Sequence, residues 1–551
     1  VTGGAPVVGI NCNGHTTLRL DPGSGGAQIL ALSVTNSSGN GITLASGSNT
    51  LNYNYVGLTT GGKASGNRGD GIFLARTAKK NKIGLNPTNT PSAVANVVSG
   101  NRGAGIRLIG STLNKIQANR VGTNAAGTKA VANKHGGVEL IGASKNEIGG
   151  NVTGSGTSGP NNPTGTEGSV PEVYVAPPLG NVISGNKNDG VLISAGSKKN
   201  ILQGNFIGTN AAGLAAVANT GNGVRVINSD GTVFRGCTVT DNPFVYYNVI
   251  SGNKKNGLRV TDSDNTVVQA NFFGIGMDNT TTVANGGNGM QFDGNSKTPH
   301  VGGVIPLGNV AAGNKKNGIE VKDTVSGFIT FNTFGGLLAF KGAAPNHGNG
   351  LKVTSSGGNN LARTNVFSGN LGNGVELSGN AQGMTLDPNL VGLNTSGAGP
   401  LRNGKNGVLV TGNARKNTIG GNNGSVIPQN TFSGNVGYGL VFTGNARDNK
   451  VVNTFIGVAT GITLPVPNLK GGVLISGKAR NNYIGPRTSS QKTNVISGNV
   501  GFGVTLTSKT TGNSVIKNNI GLGREGAPVP NSGGTVSNKG KKNKIRNNNT
   551  N

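Results

Sequence analysis

Four residues have types and spacing that could carry out chemistry together. Asp293 and Glu320 fall on neighbouring repeats, Asp293 beside the row that holds Glu320, so they could form the carboxylate pair of a glycosidic acid/base site. Arg259 and Lys352 occupy the same row and could abstract a proton in an eliminating enzyme. That row also has a structural reading. Its members Arg259, Gln291, Glu320, Lys352 and Glu376 tend to alternate in sign, as side chains facing one another across strands do. The alternation favours a ladder of ion pairs over a catalytic centre.

The row exists because the chain repeats. Gly residues that open an apolar-x-apolar triplet fall at 41, 71, 105, 137, 190, 223, 257, 289, 318, 350, 374, 407, 439, 472 and 503, with a weaker copy at 534. These 16 copies recur about every 33 residues, the mark of a stacked-repeat architecture. Each copy alternates in the manner of a strand, as in Gly223-Val224-Arg225-Val226. Three short apolar stretches per copy, parted by Gly and Asn, make one circuit of a three-sided coil. Parallel stacking at roughly 4.8 Å per coil would give a rod of roughly 70 Å.

Composition agrees. The chain holds 99 Gly, no Trp and 4% aromatic residues in 551, which suits a narrow core of Val, Ile and Leu. Asn recurs just before the second stretch, at Asn81, Asn114, Asn146, Asn200, Asn265, Asn417, Asn449, Asn482, Asn513 and Asn543. Its amide can bond the same amide one coil away, so an internal Asn ladder is expected there.

Asn181-Val182-Ile183-Ser184-Gly185-Asn186, then Asp189 to Ser194 and Phe206 to Gly213, resembles the right-handed parallel β-helix repeats of large secreted bacterial surface proteins. The resemblance covers about residues 35–550. It implies an all-β chain: a single right-handed parallel β-helix of about 16 coils with pectate-lyase-like architecture. Residues 1–34 would form an N-terminal cap or extension, 35–551 the β-helix, and 149–180 an inserted Gly/Pro-rich surface loop. Adhesins, appendage proteins, phage spikes and polysaccharide lyases use this scaffold, so it does not fix an activity. A lyase of the pectate kind would need Asp clustered around Ca²⁺ on consecutive coils. Only Asp262-Ser263-Asp264 comes near that, within one turn.

Other chemistry is poorly provided for. His15, His135, His300 and His347 lack metal-ligand spacing, and Cys12 and Cys237 lie coils apart, so neither metal nor cofactor is expected. Cys237 should be a small buried hydrophobe. Gly57 to Ala64 nearly matches a phosphate loop but has Ala where Mg²⁺ needs Ser or Thr. No stretch approaches ~18 uninterrupted apolar residues, so no membrane span is expected. Beginning at Val1 without a leader reads as a processed chain.

Charge points outward. The net +29 is concentrated after residue 400, where 19 basic groups meet 2 acidic ones. Basic residues gather at turns: Lys198, Lys199, Lys254, Lys255, Lys315, Lys316, Arg415, Lys416, Lys541, Lys542 and Lys544. Stacking would align them into stripes that attract a polyanion such as an acidic polysaccharide, or that merely block lateral pairing. No nucleic-acid-binding module is recognisable. The outward row turns apolar at Leu409, Val441 and Leu474, a stripe that calls for cover. Loops of about a dozen residues on alternate coils, such as Thr209 to Asn219, should project from one edge as a binding face.

These features favour a non-enzymatic structural and adhesive protein, secreted or at the cell surface, self-associating into a filament, appendage or matrix. The alternatives are a lyase or hydrolase of acidic glycans and a monomeric polyanion-binding module.

Overall fold

The computed structural model describes residues 5–84, 96–150, 179–239, 242–304, 307–339, 341–421, 429–461 and 464–550, with side chains outside 237–246. Among them every regular element is a strand. The chain divides into two units, Val1–Gln291 and Phe292–Asn551. Each is a right-handed parallel β-helix.

In unit 1 one coil consists of Val191–Ser194, Ile201–Gln203 and Phe206–Ile207, which contribute to a first, second and third sheet. Each strand pairs in parallel with its equivalent one coil on: Val191 with Val224, Ile201 with Val233, Phe206 with Val249. In unit 2, Val408–Val410, Thr418–Ile419 and Asn430–Phe432 pair in the same way with Tyr438–Phe442, Lys450–Val451 and Thr454–Ile456. Alternation decides what faces inward. Val191 and Ile193 are fully buried while Leu192 between them is half-exposed.

Corners are fixed by asparagine. At the turn into the second sheet, Asn81 Nδ2 donates to Asn114 Oδ1 (3.0 Å), Asn114 to Asn146 (3.0 Å) and Asn146 to Asn200 (3.2 Å). In unit 2, Asn417, Asn449, Asn482, Asn513 and Asn543 form the same chain at 2.9–3.2 Å. After Asn200 the position passes to Thr232 and Thr266. Asn265 stands one residue earlier at positive φ, so it is not a rung. Two further ladders occupy the other corners, including Asn181–Asn205–Asn248 and Asn186–Asn219–Asn253. Within these ladders each buried amide nitrogen meets the oxygen of the next rung.

Glycine is required where coils approach most closely. A Cβ at Gly190 would stand 2.7 Å from Gly223 O and 2.7 Å from Asn219 Nδ2. At Gly208, φ is +91° and a Cβ would lie 2.4 Å from Ser251 O.

Three sequence expectations meet particular residues here. Residues 8–30, within the segment expected as a cap, already form three strands that pair with the next coil, Val8 with Leu32, Leu18 with Ile42 and Gln28 with Thr50. The segment 149–180 falls almost wholly outside the described residues, as does the Cys237 side chain. Cys12 is a buried free thiol.

The dozen-residue loops do not project. Each closes on an antiparallel bridge, such as Thr123–Ala130, Thr209–Ala216 or Val458–Pro465, and folds over the outer side of the third sheet. That side is apolar, so the loops complete a second hydrophobic layer. In unit 2 it contains Leu337, Val366, Leu390, Leu393, Ala459 and Val466. In unit 1 the loop also covers Arg120, whose Nη1 donates to Ala126 O at 3.0 Å. Burial lowers the pKa of this guanidinium.

Candidate polyanion-binding face

Three repeats in unit 2 carry the same turn from the first sheet to the second: Gly412-Asn413-Ala414-Arg415-Lys416-Asn417, then Gly444 to Asn449 and Gly477 to Asn482. Ala414, Ala446 and Ala479 are fully buried, and the ladder Asn points inward three residues later. Arg415, Arg447 and Arg480 lie between, facing out. They are aligned by parallel bridges, Gln382–Arg415–Arg447–Arg480–Thr511–Lys541. Each Arg amide donates to the preceding coil's Ala carbonyl, at 2.9 Å, 3.1 Å and 3.0 Å. The next residue adopts positive φ in every case: Lys416 (53°), Asp448 (57°) and Asn481 (54°).

This backbone holds the Cα atoms of the three arginines at the coil spacing of about 4.8 Å. Even in water, like charges this close repel by roughly 1 kcal/mol per pair. Among the described residues, Arg447 reaches Asp448 at 3.9 Å, and no carboxylate lies within ion-pair distance of Arg415 or Arg480. The arginines are half-buried, whereas Lys416, Lys541 and Lys542 are exposed. Beside the column runs a row of hydroxyls, with Ser476 Oγ donating to Thr443 Oγ1 at 3.0 Å. Beyond it lies the apolar row Leu409–Val441–Leu474, in register across three strands. Val441 is 5% exposed, and Leu409 and Leu474 are half-exposed.

The eleven basic residues singled out in the sequence fall at different places. Arg415, Lys416, Lys541 and Lys542 belong to this corner of unit 2. Lys198 and Lys199 hold the equivalent corner in unit 1, where Lys198 N donates to Ser144 Oγ at 2.9 Å. Lys254, Lys255, Lys315 and Lys316 sit at the turn from the third sheet into the first. Lys544 faces out from the second sheet, paired in register with Ser514.

Of the four catalytic candidates, one lies in unit 1 and three in unit 2. Arg259 lies in unit 1, in register with Arg225, like charge against like. In unit 2, Glu320 is in register with Lys352, whose Nζ pairs with Glu376 at 3.6 Å. Glu376 further accepts from Asn349 (3.1 Å) and Ser378 (2.8 Å). Asp293 is buried and pairs with Lys322 at 3.9 Å. In unit 2 these contacts set opposite charges against each other, and in unit 1 the row sets like against like.

One cluster escaped the sequence reading. In unit 1, Arg107 Nε donates to Glu139 Oε2 at 3.0 Å and its Nη2 lies 3.4 Å from Asp70 Oδ1. Both carboxylates are nearly buried. Burial pushes the Asp70 carboxyl up, and the Arg107 guanidinium draws it partly back. Asp70 was hidden because it takes the place that Asn40, Asn222, Asn256 and Asn349 take elsewhere, just before the strand Gly. Its charge at that place was the available signal. Among the described residues no group of His, Cys, Asp and Glu is arranged to hold a metal ion, and no helix is long and apolar enough to cross a membrane.

No family model and no curated protein sequence matches the chain. Several solved structures are similar. The A-module of the Azotobacter vinelandii mannuronan C-5 epimerase AlgE4 is 10% identical over 88% of this chain and 91% of that one, with a TM-score of 0.30. The periplasmic alginate epimerase AlgG, as a double mutant, is 11% identical over 87% and 76%, TM-score 0.29. PfbA, a surface adhesin of Streptococcus pneumoniae, is 10% identical over 82% of each chain, TM-score 0.17. At these identities and TM-scores the likenesses assign no activity to this chain; the fold rests on its own strand register.

Proposed function

We propose that this protein binds an acidic polysaccharide along the Arg415–Arg447–Arg480 column of unit 2. The observation that carries the reading is the column itself: three arginines held in register one coil apart by the backbone, two of them without a carboxylate partner. A linear glycan bearing carboxylates would relieve their mutual repulsion. The adjoining hydroxyls can bond its hydroxyls, and Leu409 and Leu474 can meet the C–H faces of its rings. Nucleic acid suits the site less, since the chain is only 4% aromatic and offers few stacking platforms.

The filament reading has the charge against it. Unit 2 carries a formal +19, so copies meeting through this face would repel each other. A secreted or periplasmic setting fits a glycan ligand.

A second reading, cleavage of the same class of glycan, draws on Asp70, Arg107 and Glu139. Asp70 has its pKa raised by burial, as a general acid needs, and Arg107 could hold a substrate carboxylate. The experiment is to titrate polyuronates into the full chain at several salt concentrations and to assay depolymerisation alongside. Salt-dependent binding without cleavage, weakened by Arg447→Ala, supports the first reading. Cleavage lost in Asp70→Asn supports the second. If wild type binds no polyanion at low salt, both fail.

A further inference from the structure

The turn from the third sheet into the first has an apex residue whose amide donates to the ladder Asn carbonyl of the preceding coil. In unit 1 these apices are Arg102, Lys134, Lys187, Thr220 and Lys254. In unit 2 they include Leu371, Val436, Leu469 and Val500, bonded in the same way to Asn346, Asn403, Asn435 and Asn468 at 3.0–3.1 Å. Leu371 is 53%, Val436 38%, Leu469 41% and Val500 47% exposed, and Phe502 beside them is 40% exposed. Gly404 holds the apex between Leu371 and Val436, and Val436, Leu469 and Val500 stand on successive apices, so three apolar groups in a row are partly open to solvent. Arg402, Lys405 and Lys470 are exposed around them, and after residue 400 the only acidic groups are Asp448 and Glu525.

We infer that this ridge of unit 2 docks on the surface of an anionic lipid bilayer, inserting Val436, Leu469, Val500 and Phe502 among the headgroups. Three observations select that occupant. The ridge is convex, being a line of turn apices, and so offers no groove to receive the side chains of a protein partner; a bilayer interface yields around it. A second copy would bring +19 against +19. The flanking Arg402, Lys405 and Lys470 complement acidic headgroups, and apolar insertion plus basic residues is the combination that holds proteins at such interfaces. The ridge is a different corner from the arginine column, so lipid binding does not depend on the proposed glycan site.

The test is co-sedimentation of the full chain with vesicles of phosphatidylcholine alone and of phosphatidylcholine mixed with phosphatidylglycerol. Wild type should sediment with the mixed vesicles only, and part of the bound fraction should withstand added salt because of the inserted groups. Leu469→Asp with Val500→Asp should weaken binding by about tenfold or more. Both residues are on exposed turn apices and outside the core, so the variant should melt close to wild type; Leu469→Ser with Val500→Ser, which adds no charge, is the second probe. Arg447→Ala should leave sedimentation nearly unchanged. The inference is overturned if wild type stays in the supernatant, if both ridge variants sediment as wild type does, or if Arg447→Ala abolishes sedimentation while the ridge variants do not. That last result would assign the lipid headgroup to the polyanion column.

Discussion

The turn that leads from the third sheet into the first is built alike in both units and dressed differently. Behind it, Asn186, Asn219 and Asn253 in unit 1 and Asn435, Asn468 and Asn499 in unit 2 make the same bonds at nearly the same lengths. In front of it stand Lys134, Lys187 and Lys254 in one unit and Val436, Leu469 and Val500 in the other. A stacked coil constrains what points inward, because every internal amide must find its partner in the next coil. It leaves the apex free. The two units therefore share a scaffold and can have diverged in what they touch.

If the interior is common, damage to it should cost the same in either unit. Asn219→Ala leaves the Asn186 N–H and Nδ2 without their acceptor, and Asn468→Ala does the same to Asn435. Each also removes the amide that caps a carbonyl, Ile183 O or Phe432 O. Two orphaned buried donors cost about 3 kcal/mol or more. Denaturant unfolding, with hydrogen exchange to localise the opened coils, should show similar losses for the two variants. A large loss in one and none in the other would break the comparison at its interior.

The exterior should respond unequally. Arg447→Ala interrupts the column of unit 2, and should weaken polyuronate binding by about tenfold and flatten its salt dependence by about one unit of slope. Lys198→Ala touches the equivalent corner of unit 1, where Ser144 and Asp230 occupy the neighbouring coils in place of basic residues. It should leave binding nearly unchanged. Equal losses from both would mean that diffuse net charge, rather than an aligned column, attracts the polyanion. Isothermal titration at two salt concentrations separates these outcomes.

What could be read from the chain follows the same division. The period, the parallel coil and the rungs at Asn81 or Asn449 were legible because inward positions repeat. Asn265 misled because the rung is set by backbone phase, and there Thr266 holds that phase. The loops misled for a related reason. Thr209 to Asn219 has no strand alternation in sequence, and only the apolar outer side of the third sheet, with Phe206 and Val249, explains why it folds inward. The basic turns were visible as Lys and Arg. Which of them shared a corner depended on register, and so Arg415 and Lys316 looked alike until the strands were paired.

Asp70 offers the smallest effect and tests the scaffold where the interior and exterior meet. It occupies an Asn position, accepts the Ala104 N–H at 2.8 Å, and is pulled between burial and Arg107. Its folded pKa is raised, so the folded chain holds this proton to a higher pH than the unfolded chain, whose Asp titrates near 3.9. The associated stability is complete below that value and is lost as pH rises through the folded pKa. Asp70→Asn keeps the acceptor for Ala104 and removes the charge, and Arg107 retains Glu139 at 3.0 Å. The variant should thus equal or exceed wild type at neutral pH, by about 1 kcal/mol at most. The difference between the two should shrink on acidification. Thermal melts at pH 4 and pH 7 decide the point. A variant less stable at pH 7 would show that the Arg107 pair outweighs the cost of burying the carboxylate, and that unit 1 keeps this Asp where other coils keep Asn for stability alone.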